Sequence, residues 1–197
     1  MLPLLLAFFQ TNDPNFFVHR GEENFRQARI AASVADFDRA IELAPRAAPQ
    51  LWQRGISLYY AKRWKDCRKQ FETHRTVNPE DVENAVWHYL CVARIDGVDA
   101  ARKLLIPIRA DERIPMMEVY AMYRGESTPE KVLATARAGD PLEPDLNVRL
   151  FYAHLYIGLY LEAKGDAAAK EHIRLAAEKY KVKHYMWDVA RVHLKLR

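Results

Sequence analysis

The residues of this chain best equipped for chemistry are its seven histidines and two cysteines. His19, His74, His88, His154, His172, His184 and His193 are scattered along the sequence. None sits in an H-E-x-x-H motif, and no two share the i, i+4 spacing that aims both rings at one metal. This pattern predicts surface or hydrogen-bonded helix histidines, with no metal site and no cofactor. Cys67 and Cys91 are too few for a zinc knuckle or a disulfide framework. Each reads as a small buried hydrophobe, and a Cys67–Cys91 disulfide stays open for an exported chain. A reactive thiolate would need a base partner that the sequence does not place. The acidic pairs Glu80-Asp81 and Asp111-Glu112 fall at helix boundaries, where the helix dipole or solvent accommodates them. No G-x-G-x-x-G or P-loop run is present. The expectation is a chain that is not an enzyme.

The elements behind these residues are helical. The 197-residue chain is 50% hydrophobic and 28% charged, with only 7 glycines, which suits a globular, helix-rich domain. No stretch approaches the ~18 apolar residues of a transmembrane helix. One internal period dominates. Gly21 maps onto Gly55, Phe37 onto Phe71, Pro45 onto Pro79, Arg20 onto Arg54 and Asp36 onto Gln70, an offset of 34. A 34-residue period is that of a helix–turn–helix repeat. Glycine on the first helix lets the second approach, and a small residue (Ser33, Cys67) permits the crossing. The aromatic residue then fills the space between repeats, and proline ends the unit.

This period lays out the chain. Residues 1–13 form an apolar N-terminal segment, and 14–197 a single helical domain. Repeats are expected at about 14–47, 48–81 and 82–115, the third degenerate because Tyr89 replaces the glycine; its helices are predicted over 82–94 and 98–109. A degenerate pair follows at 116–140, with Thr128 as N-cap and Pro129 at the first helical position. A last repeat covers 145–180, and a capping helix covers 184–196. The fold class is thus all-α, a right-handed α-solenoid of tetratricopeptide (TPR) type with a C-terminal capping helix.

Three segments carry a narrower resemblance: Arg54-Gly55-Ile56-Ser57-Leu58-Tyr59-Tyr60, then Met117-Glu118-Val119-Tyr120 with Arg124-Gly125-Glu126-Ser127, then Tyr156-Ile157-Gly158-Leu159-Tyr160 leading to Lys164-Gly165-Asp166-Ala167. In this order the chain resembles the bacterial NlpI-type TPR lipoproteins. The resemblance implies an all-helical, often dimeric adaptor of the cell envelope that binds proteases or peptidoglycan enzymes and has no catalysis. The lipidated cysteine of that family has no counterpart near the N-terminus here. In stacked TPRs the first helix of each repeat lines a concave groove. The resemblance thereby implies a partner-binding groove of Val18, Glu22 and Phe25, then Trp52, Ile56 and Tyr59, then Glu83, Val86 and Leu90. Trp and Tyr are frequent binding hot spots. Glutamates at Glu22 and Glu83 argue against a clamp for acidic chain ends, so an apolar peptide or helix is the expected ligand.

Charge supplies the alternative. The chain has 30 Lys and Arg against 26 Asp and Glu, and the whole excess of +4 lies in residues 165–197. That basic end would face nucleic acid or an anionic membrane in the alternative reading, and solvent in the main one. Leu2 to Phe9 is apolar throughout, at the lower bound of a secretory core. It reads as an export signal placing the protein in the periplasm or envelope, or as a packed arm on a cytoplasmic protein.

Overall fold

The structure, a computed structural model, describes residues 12–197; the expected export segment at residues 1–10 lies outside the described residues. Eleven α-helices, with one 3-10 and one π segment, form the described chain, and no strand occurs among the described residues. They run as antiparallel neighbours: α1 (Pro14–Arg26) with α2 (Ile30–Leu43), and α3 (Trp52–Tyr60) with α4 (Trp64–His74). Then come α5 (Val82–Asp96) with α6 (Val98–Lys103), α7 (Met116–Arg124) with α8 (Pro129–Arg137), and α9 (Asp145–Ala163) with α10 (Ala169–Arg174). The 3-10 segment is Pro45–Gln50, the π segment is Leu175–Lys179, and α11 (Tyr185–Leu196) ends the chain. The succession of stacked pairs is compatible with an α-solenoid. No described helix is long and apolar enough to cross a membrane.

The local signals explain the starts. Pro14 and Pro129 each lack the N–H that a first turn leaves unpaired. Asp13, Asp81 and Thr128 cap α1, α5 and α8 by accepting from Asn15 N, Glu83 N and Lys131 N.

The 34-residue register holds in three dimensions. A Cβ on Gly21 would lie 3.2 Å from the Phe37 ring, and one on Gly55 would lie 2.7 Å from the Phe71 ring. Arg20 donates to Asp36 (Nε–Oδ2 2.9 Å), and Arg54 donates from Nη1 to Gln70 Oε1 at 2.9 Å. The same offset therefore carries both the glycine–aromatic contact and the polar bridge. Ser33 Oγ donates to the Gly21 carbonyl at 2.7 Å and lies 2.9 Å from Ser57 Oγ, tying α1, α2 and α3 together. The motif returns at Gly158, where a Cβ would lie 2.7 Å from the end of Ile173. In the degenerate repeat, Tyr89 is fully buried and meets Tyr123 edge-on, 4.9 Å between centroids.

Two expectations are corrected. The helix expected over 98–109 ends at Lys103. Pro107 cannot continue it, and the chain runs on without helix, burying Ile106 and Ile108 while Tyr120 Oη donates to Ile106 O and accepts from Ile108 N. Cys67 and Cys91, read as two small hydrophobes with pairing left open, are joined in a disulfide between α4 and α5, with Cα atoms 6.0 Å apart and both residues fully buried.

Candidate functional site

The first helices α1, α3 and α5 pack side by side and share one face. The groove expected there is filled by α11. Tyr185, at the start of α11, stacks on Phe25 (centroids 5.5 Å) and meets Trp52 edge-on (5.3 Å). Arg26 of α1 bonds Asp188 of α11 at 3.0 Å. Further along α11, Tyr60 Oη lies 2.9 Å from His193 Nδ1. His193 Nε2 lies 2.9 Å from Glu162, which also holds Arg94 at 2.8 Å; Arg94 in turn donates to Tyr59 Oη at 3.1 Å. Burial opposes ionisation of Glu162, yet His193, Arg94 and Arg197 outweigh it and hold the carboxyl down at about 2.

The nine predicted groove residues accordingly divide. Phe25, Ile56, Tyr59, Val86 and Leu90 are at most 1% exposed and belong to the core, so their assignment to an accessible groove is corrected. The physical reason at Phe25 is α11, whose Tyr185 stacks on its ring, while Val86 and Leu90 lie on α5, which packs against α4, α6, α7 and α9. Val18, Glu22, Trp52 and Glu83 remain partly accessible. Of these, Trp52 and Glu83 reach an opening that α11 does not cover.

That opening is a cleft of about 190 Å³ where the starts of α3, α5 and α11 meet the end of α4. Trp52, Phe71, Trp87 and Met186 give it apolar walls. Phe71 and Trp87 stack almost parallel, with 6.4 Å between centroids and 17° between planes. They stand one helical turn from Cys67 and Cys91, so the disulfide pins the two helices directly behind this wall. His74 and His184 line the cleft too; His74 Nδ1 is engaged by Pro49 O at 2.8 Å. Burial, then the nearby Arg113, lower the His184 pKa.

The rim is acidic. Asp81 and Glu83 border the cleft, and behind them Arg113 bonds Asp81 (2.6 Å), Glu83 (2.6 Å) and Asp111 (2.6 Å). Three carboxylates thus surround one guanidinium. Tyr156 Oη donates to Glu83, and burial raises the Glu83 pKa despite Arg113. Burial disfavours the charge on Arg113 as well, but its contacts with Asp111, Glu83 and Asp81 keep it firmly protonated.

Two cleft residues carry buried side-chain polar atoms without a partner, as Gln53 Oε1, Trp64 Nε1, His88 Nδ1, Tyr89 Oη, Arg102 Nε and Tyr185 Oη do elsewhere among the described residues. Asn84 is 2% exposed, and neither its amide nitrogen nor its amide oxygen has a hydrogen-bond partner among the described residues. Trp87 is 1% exposed, and its indole N–H is unpartnered in the same sense. Each such group costs about 1–3 kcal/mol of lost solvation. Sequence reasoning passed over Asn84. Its signal was a carboxamide embedded in the apolar run from Val82 to Val92.

The remaining chemistry-bearing residues serve structure. His154 and His172 approach at 3.0 Å between Nδ1 atoms, and burial followed by the His172 neighbour lowers His154 to about 4. No group of three or more His, Cys, Asp or Glu among the described residues is placed to hold a metal. In the basic segment, Arg174 bonds Glu171 and Glu178, and Asp188 takes Arg26 and Arg191. No protein-family model matches the chain.

Proposed function

We propose that this protein is a non-catalytic binding adaptor of TPR-like architecture that holds a segment of another protein in the cleft beside Trp52. The observation that carries this reading is the pair of buried, unpartnered polar side chains, Asn84 and Trp87, in a cleft with aromatic walls. Buried unpaired groups call for an explanation, and at a cleft a ligand would supply the missing partners. The regular 34-residue register supports the TPR assignment, with α11 laid across the face that such repeats commonly present. The buried Cys67–Cys91 disulfide supports an extracytoplasmic, envelope-type location, because disulfides persist in oxidising compartments.

The test is affinity capture from native cells with wild type beside Trp52→Ala. The wild type should retain a defined protein partner that the variant loses, while helical circular dichroism stays close to wild type and the melting temperature falls by only a few degrees. A partner retained by both would overturn the cleft as the binding site. Maleimide labelling of the protein denatured straight from cells should find both cysteines unreactive until reduction; labelling without reductant would overturn the envelope location.

A further inference from the structure

The cleft also specifies the chemistry of its occupant. Asn84 offers two N–H donors and one acceptor, and Trp87 adds one donor. Both residues line the cleft. A carboxamide facing another amide makes a reciprocal pair: its oxygen accepts an N–H while its nitrogen donates to a carbonyl. The indole N–H can donate to the second lone pair of that carbonyl. The N–H and C=O of one extended residue project to the same side and satisfy all three at once, whereas a carboxylate leaves the Asn84 oxygen unpaired and a hydroxyl leaves a donor unpaired.

The backbone supplying that unit must be extended. In a helix the amide groups are already used internally. The volume of about 190 Å³ is a little larger than an engineered cavity of ~150 Å³ that accepts benzene. It has room for one medium-sized residue with its peptide unit. Trp52, Phe71 and Met186 would enclose the apolar part of that side chain. Asp81 and Glu83 at the rim repel a neighbouring negative charge and favour a neutral or basic one.

We infer, resting on the binding reading above, that the cleft takes one neutral or basic residue of an extended partner segment, pairing that residue's own N–H and C=O with Asn84 and its carbonyl also with Trp87. The test is a titration of the full nitrogen-labelled chain with three blocked tripeptides, glycyl-X-glycine amides with X leucine, lysine or glutamate. Such small ligands should bind with about millimolar dissociation constants. The leucine and lysine peptides should shift the Trp87 indole and Asn84 side-chain resonances saturably. The glutamate peptide should bind about tenfold more weakly. Replacing the glycyl–X amide by an ester, which removes the N–H of X, should weaken binding about tenfold as well. Asn84→Leu should abolish the response. Trp52→Ala, altering only the accessible wall, is the second variant should Asn84→Leu fold poorly, and it should weaken the leucine peptide most.

No saturable shift with the leucine or lysine peptide would overturn the inference. So would a glutamate peptide that binds equally well, or an Asn84→Leu variant that binds like wild type. Capture of the same protein partner by wild type and Asn84→Leu would leave the adaptor standing and overturn only this assignment.

Discussion

The face shared by α1, α3 and α5 has two parts with opposite treatment of polar groups. Under α11, Tyr59, Tyr60, Arg94, Glu162 and His193 connect to one another. Beyond the start of α11, Asn84 and Trp87 are buried and have no such connections among the described residues. The chain fills one part of the face with its own helix and builds a polar network there, although Tyr185 Oη stays without a partner among the described residues. In the other part it keeps aromatic walls and leaves the polar groups unpaired. The first pattern is what stability demands. The second makes sense when the partner comes from outside.

The largest expected effect lies in the filled part. Phe25→Ala removes the ring on which Tyr185 stacks, and should cost about 3–5 kcal/mol in denaturant unfolding. A loss under about 1 kcal/mol would mean that α11 does not rest there. Next is the staple behind the cleft wall. Replacing Cys67 and Cys91 together by alanine should cost about 3 kcal/mol, given the 24-residue separation. It should also weaken peptide binding in the cleft, because the Phe71–Trp87 wall loosens.

Acid should also weaken the packed regions. The His154 pKa is depressed to about 4, so the unfolded chain binds more protons below the ordinary histidine value. Stability from this group is therefore complete above about pH 6.5 and drains away as pH falls toward about 4. Glu162 adds a second loss, from its ordinary range down to about 2. Thermal melts across this range should fall in those two windows, and His154→Gln should flatten the first. A smaller effect is expected at the open wall. Trp52→Ala should change stability by about 1–2 kcal/mol, since Trp52 is only partly buried, while partner capture is lost.

The repeats were legible because their signals are local and steric. Gly21, Gly55, Phe37 and Phe71 meet as the offset implied, since a glycine facing an aromatic ring leaves a fixed trace in sequence. Thr128 and Pro129 likewise start α8 as their capping chemistry predicts. The inner face was not legible in the same way. Phe25, Ile56 and Tyr59 are apolar whether a foreign helix or the chain's own last helix covers them. Which one does so depends on contacts more than 100 residues apart, such as Tyr60 with His193, separated by 133 residues. The sequence therefore marks an apolar inner face without saying what covers it. Asn84 escaped notice because a single buried amide usually finds an internal partner, and only the three-dimensional arrangement shows that this one does not.

The central claim is that the fold leaves the Asn84 amide unsatisfied for a ligand, and the melting temperature of Asn84→Leu in the absence of any ligand tests it most directly. Leucine keeps the branched shape and removes an unpaired buried amide. The account predicts a melting temperature equal to or above wild type, up to about 2–4 °C higher for each kcal/mol of relieved desolvation. A clear fall would show that the amide is bonded within the folded chain, and would contradict the account.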